Sequence, residues 1–377
     1  MTPPILYHPA YQTYNFGPRH PFSPVRLAMV LDLLEALGPL PDFVEPPPAT
    51  RADVLALHSE AFVEQVEAAS RGEAHPDARH YGLGTGDVPI FEGMDEATRA
   101  LVGGTLHAAR MVASGQATRV LQLGGGLHHA QQALAAGFCV YNDPAIAIRH
   151  LLDQGLRAAY LDIDVHHGDG VQWLLYDEPH AMTISLHETG RYLYPGSGFV
   201  HELGEHDGKG FALNVPLEPY THHASYLETF ERVIPHALTW FQPDVLVVEC
   251  GADAHAADPL AHLLLTSRTY ETLFRRILAL AEALTEGRVI LHLGGGYDLD
   301  ATVRIWAMLA LLAQNRDLPD RLPQPWLDRW QRRLNQPLTP TFHDAEDAIF
   351  VQRKDAIALQ NRQESQRLLE LAAPYWQ

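Results

Sequence analysis

Asp162, Asp164 and His166 stand at alternate positions in the stretch Leu161-Asp162-Ile163-Asp164-Val165-His166-His167-Gly168-Asp169-Gly170. In an extended chain alternate side chains share a face, so this spacing brings two carboxylates and an imidazole to one side of a strand end. That is the donor chemistry of a metal site. The apolar run Ala158-Ala159-Tyr160-Leu161 leads into the stretch, and Gly168 and Gly170 break it. Five of the eight residues 162–169 are ionisable, too dense a cluster for an ordinary hydrophilic loop behind a buried strand.

Three other apolar runs end in chemically capable residues. His128-His129 follow Gly124-Gly125-Gly126, a turn at which the backbone can approach a ligand. Two adjacent imidazoles, each meeting a carboxylate, suit proton transfer, and Asp162 and Asp169 are the partners at hand. Asp253 follows Cys250-Gly251-Ala252. Alone it reads equally well as a loop aspartate or a helix N-cap. With Asp164 and His166 it makes three protein ligands and an open fourth position, the catalytic arrangement for zinc. Iron(II) or cobalt accept the same donors. Tyr297, behind Gly294-Gly295-Gly296, offers a phenol that can donate to a developing oxyanion.

The elements that must position these residues alternate between strand and helix. Short apolar strands are expected at 5–7, 119–123, 158–163, 181–186, 211–215, 245–249 and 288–293. Helices are expected at 25–37, 53–69, 97–114, 143–155, 170–175, 226–241, 267–284 and 301–313. The rhythm predicts an α/β fold: a single open, mostly parallel sheet flanked by helices. In such a sheet, loops at the carboxyl ends of the strands share one edge, so residues far apart in sequence meet in one pocket there. Residues 1–315 carry no linker or repeat and read as one domain. Residues 316–377 read as a helical extension, with helices at 326–334 and 356–371, packed on that same domain.

Composition narrows the function. The 377 residues include 46 acidic and 27 basic ones, a formal net charge of −19, which argues against nucleic acid as a partner. Cys139 and Cys250 lie in or beside apolar runs, as buried thiols do, and make no disulfide framework. The N-terminal residues lack the basic and apolar regions of a signal peptide, and no apolar run reaches the roughly 18 residues of a membrane span, so a cytoplasmic setting without membrane contact is expected.

Taken in order, several segments resemble the histone deacetylase superfamily, in particular its bacterial acetoin-utilisation-type and histone-deacetylase-like amidohydrolases. They are Gly125-Gly126-Leu127-His128-His129-Ala130, Gly137-Phe138-Cys139-Val140-Tyr141-Asn142-Asp143, the 162–170 stretch, Tyr194-Pro195-Gly196-Ser197-Gly198, Gly251-Ala252-Asp253 and Gly294-Gly295-Gly296-Tyr297. The resemblance implies an arginase/deacetylase-like fold and zinc-dependent hydrolysis of an N-acetyl amide, most favourably on acetyl-lysine of proteins, with a small acetylated amine such as an acetylpolyamine as the alternative. A non-catalytic acyl-lysine-binding module is the rival from another class, but no ligand or tyrosine is missing. Asp164, His166 and Asp253 match the zinc ligands, and His128 with Asp162 and His129 with Asp169 match two His–Asp dyads. Tyr297 matches the residue that polarises the acetyl carbonyl. Phe138 and Tyr194 match the channel walls, and Asp87 the residue that grips the substrate backbone. Gly126 and Gly295 are grouped with these substrate-binding positions. A structural potassium would draw on Asp162, Asp164, His166, Ser185 and Leu186. Pro259 stands where corepressor-bound relatives commonly carry an arginine, so no inositol-phosphate corepressor is expected.

Overall fold

The computed structural model describes residues 2–41, 43–73, 76–345 and 351–376. Seven strands form one sheet: β1 (Ile5–Leu6), β2 (Arg119–Gln122), β3 (Ala158–Asp162), β4 (Ala181–Glu188), β5 (Ala212–Leu217), β6 (Val245–Cys250) and β7 (Val289–Leu293). Their order is β1-β2-β7-β6-β3-β4-β5, and every ladder is parallel. The sheet is thus more uniform than the mostly parallel one expected.

Helices cover both faces. In chain order they are α1 (Val25–Ala36), α2 (Arg51–Leu55), α3 (Glu60–Ser70), α4 (Met94–Ala113), α5 (Asp143–Asp153), α6 (Asp169–Leu174), α7 (His223–Phe241), α8 (Ser267–Leu284), α9 (Leu299–Ala313), α10 (Gln324–Leu334) and α11 (Lys354–Ala372). Strand residues alternate between the two layers. Leu121, Leu291, Val248 and Leu161 join the larger core with α1, α7, α8 and α9. Val120, Ile290, Val247 and Tyr160 join a smaller core with α4, α5 and α6. This burial on both faces explains why the strands read as continuous apolar runs.

The expected helix at 53–69 is two helices, α2 and α3. Ser59 breaks the pattern: its hydroxyl caps α3 by accepting from Phe62 N at 3.3 Å, while its own N–H leaves to Gln132 O at 2.9 Å. The break also turns His58 inward.

At one level the alternation gives way to polar residues. Gln122, His292, Glu249, Asp162, Ser185 and Asn214 are neighbours in register across β2, β7, β6, β3, β4 and β5. All are buried, and register neighbours share a face, here that of the smaller core. Above this row, toward the carboxyl ends of the strands, the chemically capable residues gather.

The C-terminal segment lies on the main body. α10 packs against α1, with Trp326 Nε1 donating to Met29 O at 3.2 Å and Trp330 Nε1 to Asp32 Oδ2 at 2.6 Å. α11 runs along β5 and α7 and covers that sheet edge. Among the described residues no helix is long and apolar enough to cross a membrane. If residues 1–315 and 316–377 form one cooperative unit, Trp326→Ala should destabilise the whole chain by about 3–5 kcal/mol, as for a buried tryptophan. Urea unfolding followed by circular dichroism should show one transition moved to lower denaturant. An early transition confined to the C-terminal segment would contradict a single unit.

Candidate active site

Asp162 is the last residue of β3, and the chain leaves the extended form there. Asp164 N donates back to Asp162 Oδ1 at 3.0 Å, and His166 N to Asp164 Oδ1 at 2.9 Å. These successive turns separate the three side chains that strand alternation would keep together. Asp162 faces the histidine pair, whereas Asp164 and His166 face Asp253 from the end of β6. One donor atom from each of Asp164, His166 and Asp253 lies within 4.8 Å of the others, and all three residues are buried. His166 Nδ1 is 3.1 Å from Asp164 Oδ1 and 3.2 Å from Asp253 Oδ2. The outer oxygens are engaged: Gly295 N donates to Asp164 Oδ2 at 2.8 Å and Val165 N to Asp253 Oδ1 at 2.9 Å. Both carboxylates are therefore oriented before any ligand arrives. Burial, with Asp164 alongside, pushes the Asp253 carboxyl up to about 7, and His166 opposes the rise.

The histidine pair adjoins this cradle. His128 Nδ1 is 2.9 Å from Asp162 Oδ2, His129 Nδ1 is 2.6 Å from Asp169 Oδ1, and the two Nε2 atoms are 3.0 Å apart. His128 Nε2 is 4.0 Å from Asp164 Oδ1. The two imidazoles are driven in opposite directions. Burial would lower His128, but Asp162, Asp164 and Glu249 outweigh it and raise the ring to about 10. Burial and the neighbouring His128 hold His129 down at about 4, against Asp169. A protonated His128 beside a neutral His129 also makes a consistent hydrogen-bond chain, with each Nδ1–H donating to its carboxylate and His128 Nε2–H donating to His129.

Aromatic residues wall the approach. The rings of Phe138 and Tyr297 meet edge to face at 5.8 Å, and Tyr194 meets His129 in the same way at 5.0 Å. Phe138 has φ of 66°, a left-handed conformation held by Tyr14 Oη donating to its carbonyl at 2.7 Å. Burial, with Asp253 and Asp164 nearby, pushes the Tyr297 phenol well up, so it stays a donor. Asp87 Oδ2 accepts from Gly137 N at 2.7 Å and so reaches the turn that carries Phe138. Ser185, in register with Asp162, holds His187 at 2.8 Å, and Leu186 follows it on β4. The two glycines serve packing as well. A Cβ on Gly295 would lie 2.0 Å from Asp253 Oδ2, and one on Gly126 would lie 2.2 Å from Leu293 O and 2.4 Å from Glu249 Oε1.

Several supporting residues were not singled out from sequence. Asp143 fixes the glycine turn before the histidines, accepting from Leu127 N at 2.8 Å and Gly126 N at 3.1 Å. Asn142 donates to His128 O at 3.2 Å and Ala130 O at 2.9 Å. His58 accepts from Asn142 N at 2.9 Å and pairs with Gln131 O at 2.9 Å, so it ties together the two ends of the loop that follows the histidines. Asp258 accepts from Tyr297 N at 2.8 Å, and buried Arg26 donates to Gly296 O at 2.9 Å. Tyr160 Oη donates to Asp162 at 2.8 Å and lies 3.3 Å from Glu249. Arg26 left one sequence signal, a charge inside the apolar face of α1. Asn142-Asp143 lay inside a matched motif with no role attached to them.

A parallel sheet carrying a buried Asp–His–Asp cradle beside paired histidines defines the class, a deacetylase-type hydrolase. Residues 20–312 match the histone deacetylase domain, and the chain belongs to that family. The acetoin utilization protein AcuC of Bacillus subtilis (strain 168) is 40% identical over 365 residues, covering 95% of this chain and 94% of the relative. That of Staphylococcus xylosus is 36% identical over 363 residues, covering 94% of each. Among solved structures, an HDAC homologue complexed with SAHA superposes with a TM-score of 0.85 at 24% identity, covering 96% of this chain and all of that one. An HDAC homologue from Aquifex aeolicus gives 0.83 at 24% identity, with 96% of this chain and 100% of that one covered. These two likenesses establish the fold.

The brace at His58 should be visible in acid. Burial lowers His58 to about 4 against its hydrogen bonds, from roughly 6.5 in the unfolded chain. The unfolded state therefore binds the extra proton across that window, so stability rises with pH there. The contribution is complete above roughly pH 6.5 and is lost as pH falls toward 4. Between pH 7 and pH 4 the wild type should lose about 3 kcal/mol more unfolding free energy than His58→Gln. Parallel losses in urea titrations of the two proteins would contradict the assignment.

Proposed function

We propose that the chain is a zinc-dependent deacetylase that hydrolyses N-acetylated amines, in first place acetyl-lysine side chains of proteins, and releases acetate. The observation that carries this reading is the Asp164–His166–Asp253 cradle lying against a histidine pair in which each imidazole is held by its own carboxylate. The donors fit zinc: two carboxylate oxygens and one imidazole nitrogen converge, with their remaining oxygens held by backbone N–H groups. Zinc bound there supplies Lewis acidity toward a water and the amide carbonyl. Asp162, Asp164, His166, Ser185 and Leu186 are the proposed potassium set, partly through backbone carbonyls, and the register that pairs Asp162 with Ser185 supports it.

The side chains divide the remaining work. Phe138 and Tyr194 flank the acyl-lysine stem, and Asp87 takes the substrate backbone at the rim. His129, neutral, gives up the contact of its Nε2 lone pair with His128 Nε2–H to the attacking water and removes that water's proton, while Asp169 orients its ring. His128, protonated and held by Asp162, stabilises negative charge beside the cradle. Tyr297 donates its phenolic hydrogen to the tetrahedral oxyanion. The C–N bond then breaks, and an imidazolium of the pair protonates the leaving amine.

The net charge of −19 lends support to a second substrate class, acetylated polyamines. Rates on an acetyl-lysine peptide and on acetylspermidine, measured with zinc-loaded protein, should favour the peptide, and the opposite order would move the assignment to polyamines. Tyr297→Phe should lower kcat by about 100-fold or more while keeping one zinc per chain. Asp253→Ala should lose the zinc. Near-wild-type turnover by the first variant, or full metal content in the second, would defeat these roles.

A further inference from the structure

Asp344 belongs to the C-terminal segment, yet its carboxylate closes a node beside the metal cradle. Asp344 Oδ2 accepts from Ser267 N at 2.7 Å, from Ser267 Oγ at 2.7 Å and from His255 Nε2 at 3.0 Å. Asp344 Oδ1 accepts from Arg304 Nη2 at 2.8 Å. Ala257 N donates to His255 Nδ1 at 3.1 Å, which leaves the hydrogen of a neutral ring on Nε2, directed at Asp344. His255 and Arg304 are buried. The node thus ties together three elements: the loop that leaves β6 through Asp253, the first residue of α8, and α9, which follows Tyr297.

The same loop continues the linkage into the site. Ala252 N donates to Gly295 O at 2.7 Å, and Asp258 Oδ2 accepts from Tyr297 N at 2.8 Å. The extension is fastened by further contacts. Asp300 accepts from Thr339 N at 2.9 Å and from Thr339 Oγ1 at 2.7 Å, Arg304 Nη1 donates to Phe342 O at 2.8 Å, and His343 Nε2 lies 2.7 Å from Glu271 Oε2.

We infer that Asp344 is a positioning residue for the third metal ligand: through His255 and Ser267 it fixes the Asp253 loop, and so makes residues 338–344 part of the metal site's construction. The inference rests on reading Asp164, His166 and Asp253 as metal ligands. Without Asp344, Asp253 keeps its own atoms but loses the outer anchor of its loop; partners bonded directly to a ligand typically contribute about 10- to 100-fold in metal affinity, and a group one step further out is expected at about the lower figure.

The test uses the full chain, with zinc titrated against a chromophoric chelator and with the visible spectrum of the cobalt(II)-loaded protein. Asp344→Asn keeps the shape and removes the charge. It should stay folded by circular dichroism, bind zinc about 10-fold more weakly and shift the cobalt ligand-field bands. His255→Gln, which retains a donor toward Asp344, should restore most of the affinity that His255→Leu loses. This second pair decides the matter if Asp344→Asn does not fold. Wild-type zinc affinity and an unchanged cobalt spectrum in folded Asp344→Asn, or equal affinities in the two His255 variants, would overturn the inference while leaving the metal site standing. Failure of the wild type itself to bind zinc or cobalt would instead overturn the metal-site reading, and the inference with it.

Discussion

Asp162 holds the site together. One oxygen meets His128 and Tyr160; the other receives the backbone N–H of Asp164. A single buried carboxylate therefore holds one imidazole of the histidine pair and the turn that aims Asp164 and His166 toward Asp253. Three hydrogen bonds favour its ionised form in a place where an isolated charge would be prohibitively costly. Weakening any of these bonds loosens the histidine pair and the Asp164–His166–Asp253 cluster together, because both hang on the same two oxygens.

The division of charge across the site follows from that arrangement. Desolvation alone would neutralise both histidines. Asp162, Asp164 and Glu249 surround His128, whereas His129 faces Asp169 and the cation beside it. Two chemically identical side chains, adjacent in sequence, thus have their proton affinities pushed in opposite directions by the charges they face. Closely packed ionisable groups whose environments separate their proton affinities mark the acid and base roles in many hydrolases.

Much of this was legible in the sequence because its signals are local. The 3.6- and 2-residue periods placed the strands and most helices, and chemically unusual residues at strand ends marked the edge where ligands bind. The family motifs supplied pairings that spacing could not, such as Asp253 with Asp164, 89 positions apart in sequence and brought together by the parallel pairing of β3 and β6. What stayed hidden was hidden for physical reasons. Strand alternation groups Asp162 with Asp164 and His166, but side chain-to-backbone bonds end the strand and separate them. His58 looked like one more position in a helix until Ser59 capped the next one. Asp344 carried no motif at all, since its role arises where a segment far along the chain docks onto the loop after β6.

The row of Gln122, His292, Glu249, Asp162, Ser185 and Asn214 bears on how the sheet assembles. A parallel sheet buried on both faces and made of interchangeable valines, leucines and isoleucines specifies strand offset weakly. Here a one-residue slip in any of these ladders would turn a carboxylate, imidazole or amide from the side of α4 and α5 into the larger apolar core. Each such error strands a polar group without a partner. The residues beneath the chemistry thus double as alignment marks, rejecting misthreaded sheets before the site exists.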